Sequence, residues 1–198
     1  MRFSNFLNKE MTPQKASRGE NALEKKVAQR AYLFFFLSGA AALIYEVIWL
    51  RLLGLVFGNT TFAISTVLAT YMAGLGLGSF FIGRMADRWK RPILTYGILE
   101  IGIGVYAALT FPILKLIEII YVNFAQNSQA DFAVLTAVRL GLAFLVLFIP
   151  TFLMGGTFPV LVKFFSRKKE KMESQVAFLY GLNTLGAVTG TLAAGFVL

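Results

Sequence analysis

Five apolar runs, each longer than a bilayer is thick, constrain this chain more than any other feature. They span about Ala31–Phe57, Thr60–Gly83, Pro92–Ile120, Phe132–Phe165 and Val176–Leu198. About 20 apolar residues in a helix cross a hydrocarbon core of roughly 30 Å. In that core every backbone polar group must be satisfied internally, which leaves helices or a closed barrel. A barrel alternates apolar and polar residues in segments of about 10 residues, and these runs do not alternate. The expected fold class is therefore all-α, a polytopic helical membrane protein with about five transmembrane helices. Composition agrees, with 57% hydrophobic and 15% charged residues, against about a quarter charged in soluble domains. The chain has no Cys and no His, so disulfides, thiol chemistry and the usual zinc ligands are excluded. No cofactor is expected.

Basic residues divide the chain by side. Arg2, Lys9, Lys15, Arg18, Lys25, Lys26 and Arg30 precede the first run. Arg84, Arg88, Lys90 and Arg91 follow the second, and Lys163, Arg167, Lys168, Lys169 and Lys171 separate the fourth from the fifth. Only Arg51, Lys115 and Arg139 lie elsewhere. Positive charge collects on the cytoplasmic side, so residues 1–30 read as a basic cytoplasmic tail and 31–198 as the membrane domain. The net charge of +9 is a topology signal and no basic patch falls on a soluble module, so nucleic acid is not a partner. The bilayer is a partner, as are other membrane subunits or the remainder of a longer protein. The ending, GTLAAGFVL, has no polar cap and reads as an interruption. Within the fourth run, Pro150, Gly155, Gly156 and Pro159 predict a kink near Pro150 or a break near the glycine pair.

Gly74-Leu-Gly76-Leu-Gly78 lies inside an apolar helix rather than between a strand and a helix, so it is not a nucleotide loop. Gly74 and Gly78, four apart, form a packing seam, as do Gly186 and Gly190. Asn183 and Thr184, one turn earlier, can hydrogen-bond across helices.

Four ionisable residues at bilayer depth bear on the argument. Glu46 is about 22 Å along the first helix, near the midplane. Arg51, five residues on, is rotated about 140° from it. Arg139 enters from the opposite end to a depth close to that of Arg51, while Glu100 is shallower, in the cytoplasmic half. A charge in the core costs at least about 2.5 kcal/mol, so each should face the bundle and be paired. The first expectation is Glu46 with Arg139, and the second is Glu46 with Arg51. Such a polar group serves either as a clasp between helices or as a site for a cationic or zwitterionic ligand.

After the second run comes GRMADRWKRP. Its Gly83, Asp87, Arg88 and Arg91 resemble the Gly-x-x-x-Asp-Arg-x-x-Arg loop of the major facilitator superfamily. An Asp there can pair with Arg from a neighbouring helix and latch one conformation of the bundle; the alternative is a charged, well-capped cytoplasmic turn. The run FFLSGAAALIYEVIWLRLLGLVFG and its continuation to Arg88 resemble the N-terminal membrane domain of bacterial spermidine synthase-like membrane proteins. LMGGTFPVLVKFF and LYGLNTLGAVTGTLAAGF extend the likeness. In that family a facilitator-like helical region precedes an aminopropyltransferase domain. The resemblance implies catalysis only in such a domain; its glycine-rich cofactor site and acidic amine-binding residues have no counterpart here, so no catalytic residue is assigned. Three roles follow: an anchor, ligand-binding or assembly module; a structural subunit of a larger complex; or half of a facilitator-like transporter, built from inverted helix triplets.

Overall fold

A computed structural model describes residues 13–57, 61–128, 131–165 and 172–197. All five expected helices are present: α1 Pro13–Phe57, α2 Thr61–Ala86, α3 Pro92–Asn127, α4 Phe132–Phe165 and α5 Met172–Phe196. Each contains a stretch long and apolar enough to cross a bilayer. The protein is an all-helical, multi-pass membrane protein. Large apolar side chains such as Leu55, Phe62, Ile101, Phe111 and Leu145 stay exposed around the bundle, as a lipid solvent permits. Helix α1 starts within the segment expected to be a tail, so Pro13–Arg30 extend the first span as a continuous helix.

Of the two alternatives for α4, the break near the glycine pair is absent, and the helix continues through both prolines and the glycines. Pro150 has no N–H, which leaves the carbonyl of Val146, four residues earlier, without its helical donor. The Tyr106 hydroxyl on α3 donates to that carbonyl at 2.7 Å. Gly155 and Gly156 remain helical because α2 lies directly against them. A Cβ on Gly155 would strike the Leu75 backbone, and one on Gly156 would strike Ile82.

The two most extensive interfaces join α2 to α4 and α1 to α5, followed by α3 to α4. Both leading pairs are parallel, and their closest approaches correspond. Gly155 abuts Leu75 as Gly39 abuts Asn183. Gly78 abuts Phe152 as Gly186 abuts Phe36, and Gly156 abuts Ile82 as Gly190 abuts Ala40. One constant shift in numbering carries α1 onto α4, and another carries α2 onto α5. The contacts thus repeat in two units, the first starting with α1 and the second with α4. The glycine seams seen in the sequence are the contact surfaces of this repeat. Trp49, Leu53, Tyr71, Leu114, Leu147 and Met154 are among the residues of one buried cluster. Phe35, Ile82, Leu99, Val160, Leu161 and Leu179 belong to a second.

Candidate functional site

Helices α1 and α3 touch only sparingly, and between them opens a cleft of about 540 Å³. The polar side chains lining it are Arg30 and Ser38 from α1 and Tyr96 and Glu100 from α3; Phe34, Leu37 and Ile101 are among the apolar ones. Tyr96 and Glu100 are four apart and therefore share a helix face. Ser38 Oγ donates to Glu100 Oε1 at 2.6 Å, a charge-assisted bond that fixes the carboxylate when it is ionised. Tyr96 is only 5% exposed, and its hydroxyl lies close enough to Glu100 to feel its charge. Tyr96 Oη thus lies within reach of both Glu100 and Ser38, although its geometry toward neither is that of a well-formed hydrogen bond. The Phe35 ring meets the Tyr96 ring edge-on at 6.4 Å between centroids, which holds the phenol in place. Arg30 lies eight residues before Ser38, so the cleft runs about 12 Å from its mouth to the carboxylate.

Chemically, the cleft offers a carboxylate and a phenol oxygen at its inner end, inside apolar walls. Among the described residues Glu100 forms no ion pair. A ligand ammonium entering there would meet two acceptors, while its hydrocarbon portion would meet Phe34, Leu37 and Ile101.

The expected pairings of Glu46 do not occur. Arg139 Nε instead donates to the Tyr121 hydroxyl, and its guanidinium lies 5.1 Å from the centre of that ring. Arg51 is exposed and reaches the Ala194 carbonyl at 3.4 Å, near the end of α5. The reason is azimuthal. Helix α4 packs on α2 and α3 and scarcely meets α1, so equal depth does not bring Arg139 to Glu46. Glu46 is half-buried and near Tyr71, whose hydroxyl donates to the Ala42 carbonyl one turn below at 3.2 Å. Glu46 itself makes no hydrogen bond or ion pair among the described residues.

Asn183 lies in the α1–α5 seam against Gly39. Thr184 does not cross between helices; its hydroxyl bonds to the Tyr180 carbonyl of its own turn at 2.8 Å. Near the end of α2, Gly83 packs against Pro159, while Asp87, Arg88 and Arg91 in the α2–α3 turn are exposed. The tie across helices at this end comes from α4, where Lys163 Nζ donates to the Ala86 carbonyl at the end of α2. Gly74, Gly78, Gly186 and Gly190 are all buried in their seams.

Sequence reasoning found Glu100 but not Ser38, Tyr96 or Arg30. The four-residue spacing of Tyr96 and Glu100 was the available signal. Ser38 carried none, since a single Ser in an apolar helix usually bonds its own backbone. No family model matches the chain, and no curated protein or solved structure is detectably similar to it. Among the described residues no group of acidic side chains is arranged to hold a metal ion.

Proposed function

We propose that this chain is a membrane-embedded binding module whose α1–α3 cleft holds a small cationic molecule, with Glu100 as the anchoring carboxylate. The observation that carries the reading is the inner end of the cleft, where Ser38 orients Glu100 beside the buried Tyr96 phenol. An ammonium donor would bridge the Glu100 carboxylate and the Tyr96 oxygen, and a hydrogen bond to a charged group is stronger than one between neutral groups. The resemblance to the membrane domain of spermidine synthase-like proteins is consistent with an amine ligand. The basic ends of α1, α2 and α4 favour a cytoplasmic mouth, by the positive-inside rule.

The test is calorimetric titration of octylamine into the protein in phosphatidylcholine nanodiscs, with empty discs as reference. Saturable binding that is lost in Glu100→Gln supports the reading. Binding equal in the two proteins, or no saturable binding, refutes it.

A second reading, assembly, is favoured by the repeat. Helix α3 covers α4 at Val146 and Leu153. The corresponding positions of α1 are Arg30 and Leu37, and Leu37 is 48% exposed. A partner helix packed on that face would displace a ligand. Its signature is stable co-purification of a second membrane chain in mild detergent, abolished by Leu37→Arg.

A further inference from the structure

Among the described residues that line the α1–α3 cleft, Glu100 is the only acid, and the only other charge is Arg30. One carboxylate pairs with one ammonium, and the remaining charge repels a second. Between the two ends the walls are apolar, with Phe34, Leu37 and Ile101 the largest side chains. The Ser38 hydroxyl is already committed to Glu100. Glu100 stands eight residues into α3, about 12 Å from its start, within the stretch able to span a bilayer. A charge brought to that depth has to be paired.

The cleft is also open along its side. Phe34, Leu37 and Ile101 line it, yet they are 56%, 48% and 68% exposed. Their neighbours Leu33 and Ile98 are exposed as well. Apolar side chains on the outside of a membrane-spanning bundle face hydrocarbon, so this side opens to lipid rather than to water. A ligand chain lying there can continue into the bilayer without meeting an end wall.

We infer that the cleft takes an amphiphilic monoamine from the bilayer. One primary ammonium sits at Glu100, and a single apolar chain runs along Phe34 and Leu37 into the lipid. This rests on the cation-binding reading above and narrows it, because di- and polyamines are rejected. Each further ammonium would lie against apolar walls or beside Arg30, unpaired in either place. A phosphatidylethanolamine headgroup is rejected for the opposite reason. Its phosphate, a few bonds from the ammonium, would be drawn toward Glu100, a charge of its own sign.

The experiment titrates octylamine, 8-aminooctan-1-ol and 1,8-diaminooctane into the protein in phosphatidylcholine nanodiscs. Affinities are referred to the amine taken up by empty discs, so that unequal partition into lipid cancels. The amino alcohol controls for a polar far end without charge. The diamine should bind at least about tenfold more weakly than the amino alcohol, close to 1.4 kcal/mol. A smaller difference overturns the inference while cation binding stands. Arg30→Glu places a second carboxylate about 12 Å from the inner end, near the length of the extended diamine. It should raise the ratio of diamine to octylamine affinity at least about fivefold; an unchanged ratio overturns the placement of the chain. Dodecylamine should bind as tightly as octylamine by the same measure, whereas a loss with the longer chain would overturn the opening to lipid. Octylamine should keep its affinity in discs containing phosphatidylethanolamine, and its displacement by that lipid would overturn the inference in favour of a headgroup. Absence of octylamine binding, or binding unaffected by Glu100→Gln, defeats the parent reading instead.

Discussion

The Tyr106–Pro150 arrangement yields the sharpest prediction about stability. Pro150 removes the donor that the Val146 carbonyl would have used, and Tyr106 replaces it at 2.7 Å. Tyr106→Phe leaves this carbonyl unpaired within a membrane helix. A hydrogen bond between membrane helices contributes about 0.6 kcal/mol on average and up to about 1.7. The ordinary cost of stranding a buried acceptor is about 1–3 kcal/mol. Tyr106→Phe should therefore cost about 1–2 kcal/mol. In a Pro150→Ala background the N–H of residue 150 returns and satisfies Val146 within the helix, so the same substitution should cost much less. The assay is a double-mutant cycle of reversible unfolding in detergent micelles, with steric trapping as the readout. A coupling of about 1 kcal/mol between the two positions is expected. Equal costs of Tyr106→Phe in both backgrounds would refute the reasoning, because Tyr106 would then be acting through packing alone.

Other predictions follow from the same contacts. Gly78→Ala should destabilise the bundle by about 1–3 kcal/mol, as overpacking does, because its Cβ would strike the Phe152 backbone. Gly76→Ala should be neutral or slightly stabilising, since nothing lies within 4 Å of a Cβ there; unfolding of the two variants side by side checks the pair. Lys163→Met removes the donor to the Ala86 carbonyl and should speed proteolytic nicking of the Asp87–Arg91 turn without changing the unfolding midpoint much. Glu46→Gln should alter unfolding free energy by less than about 0.5 kcal/mol or raise it, as it breaks no ion pair; a loss of several kcal/mol would show that Glu46 holds a clasp.

The helices were legible from the sequence because apolar run length and bilayer thickness leave few alternatives. The seams were legible for a related reason. Gly74 and Gly78, and likewise Gly186 and Gly190, recur at the spacing that exposes backbone along one helix face. Pairing of the charged groups was not legible. Run position gives a residue's depth, but a contact also requires its azimuth and the order of helices around the bundle. Arg139 and Glu46 satisfied depth and failed on order, because α4 neighbours α3 and finds Tyr121. Continuity of α4 was left open by the sequence. Pro150 and the glycine pair carry real local penalties, and these are offset by Tyr106 from α3 and by close packing with α2. Neither partner is near them in sequence.

Tyr96 offers a test in which fold and site must respond with opposite signs. Its ring is held by Phe35, while its buried hydroxyl lies beside Glu100 and Ser38 without a well-formed hydrogen bond to either. If the hydroxyl served the fold, removing it would weaken the bundle. Tyr96→Phe keeps the ring and removes a buried, poorly satisfied oxygen, so it should stabilise the protein by up to about 1 kcal/mol, at the lower end of the usual penalty. The same change removes one of two acceptors for a bound ammonium, so octylamine affinity should fall about three- to tenfold, in line with one hydrogen bond of about 1 kcal/mol. A gain in stability with a loss of binding is the signature of a polar group retained for function at some cost to the fold. Ser38→Ala supplies the contrast. It breaks the 2.6 Å bond to Glu100, so stability and affinity should decline together. Should Tyr96→Phe instead lower stability and leave octylamine binding intact, the phenol belongs to the fold and the inner end of the cleft is not the binding site.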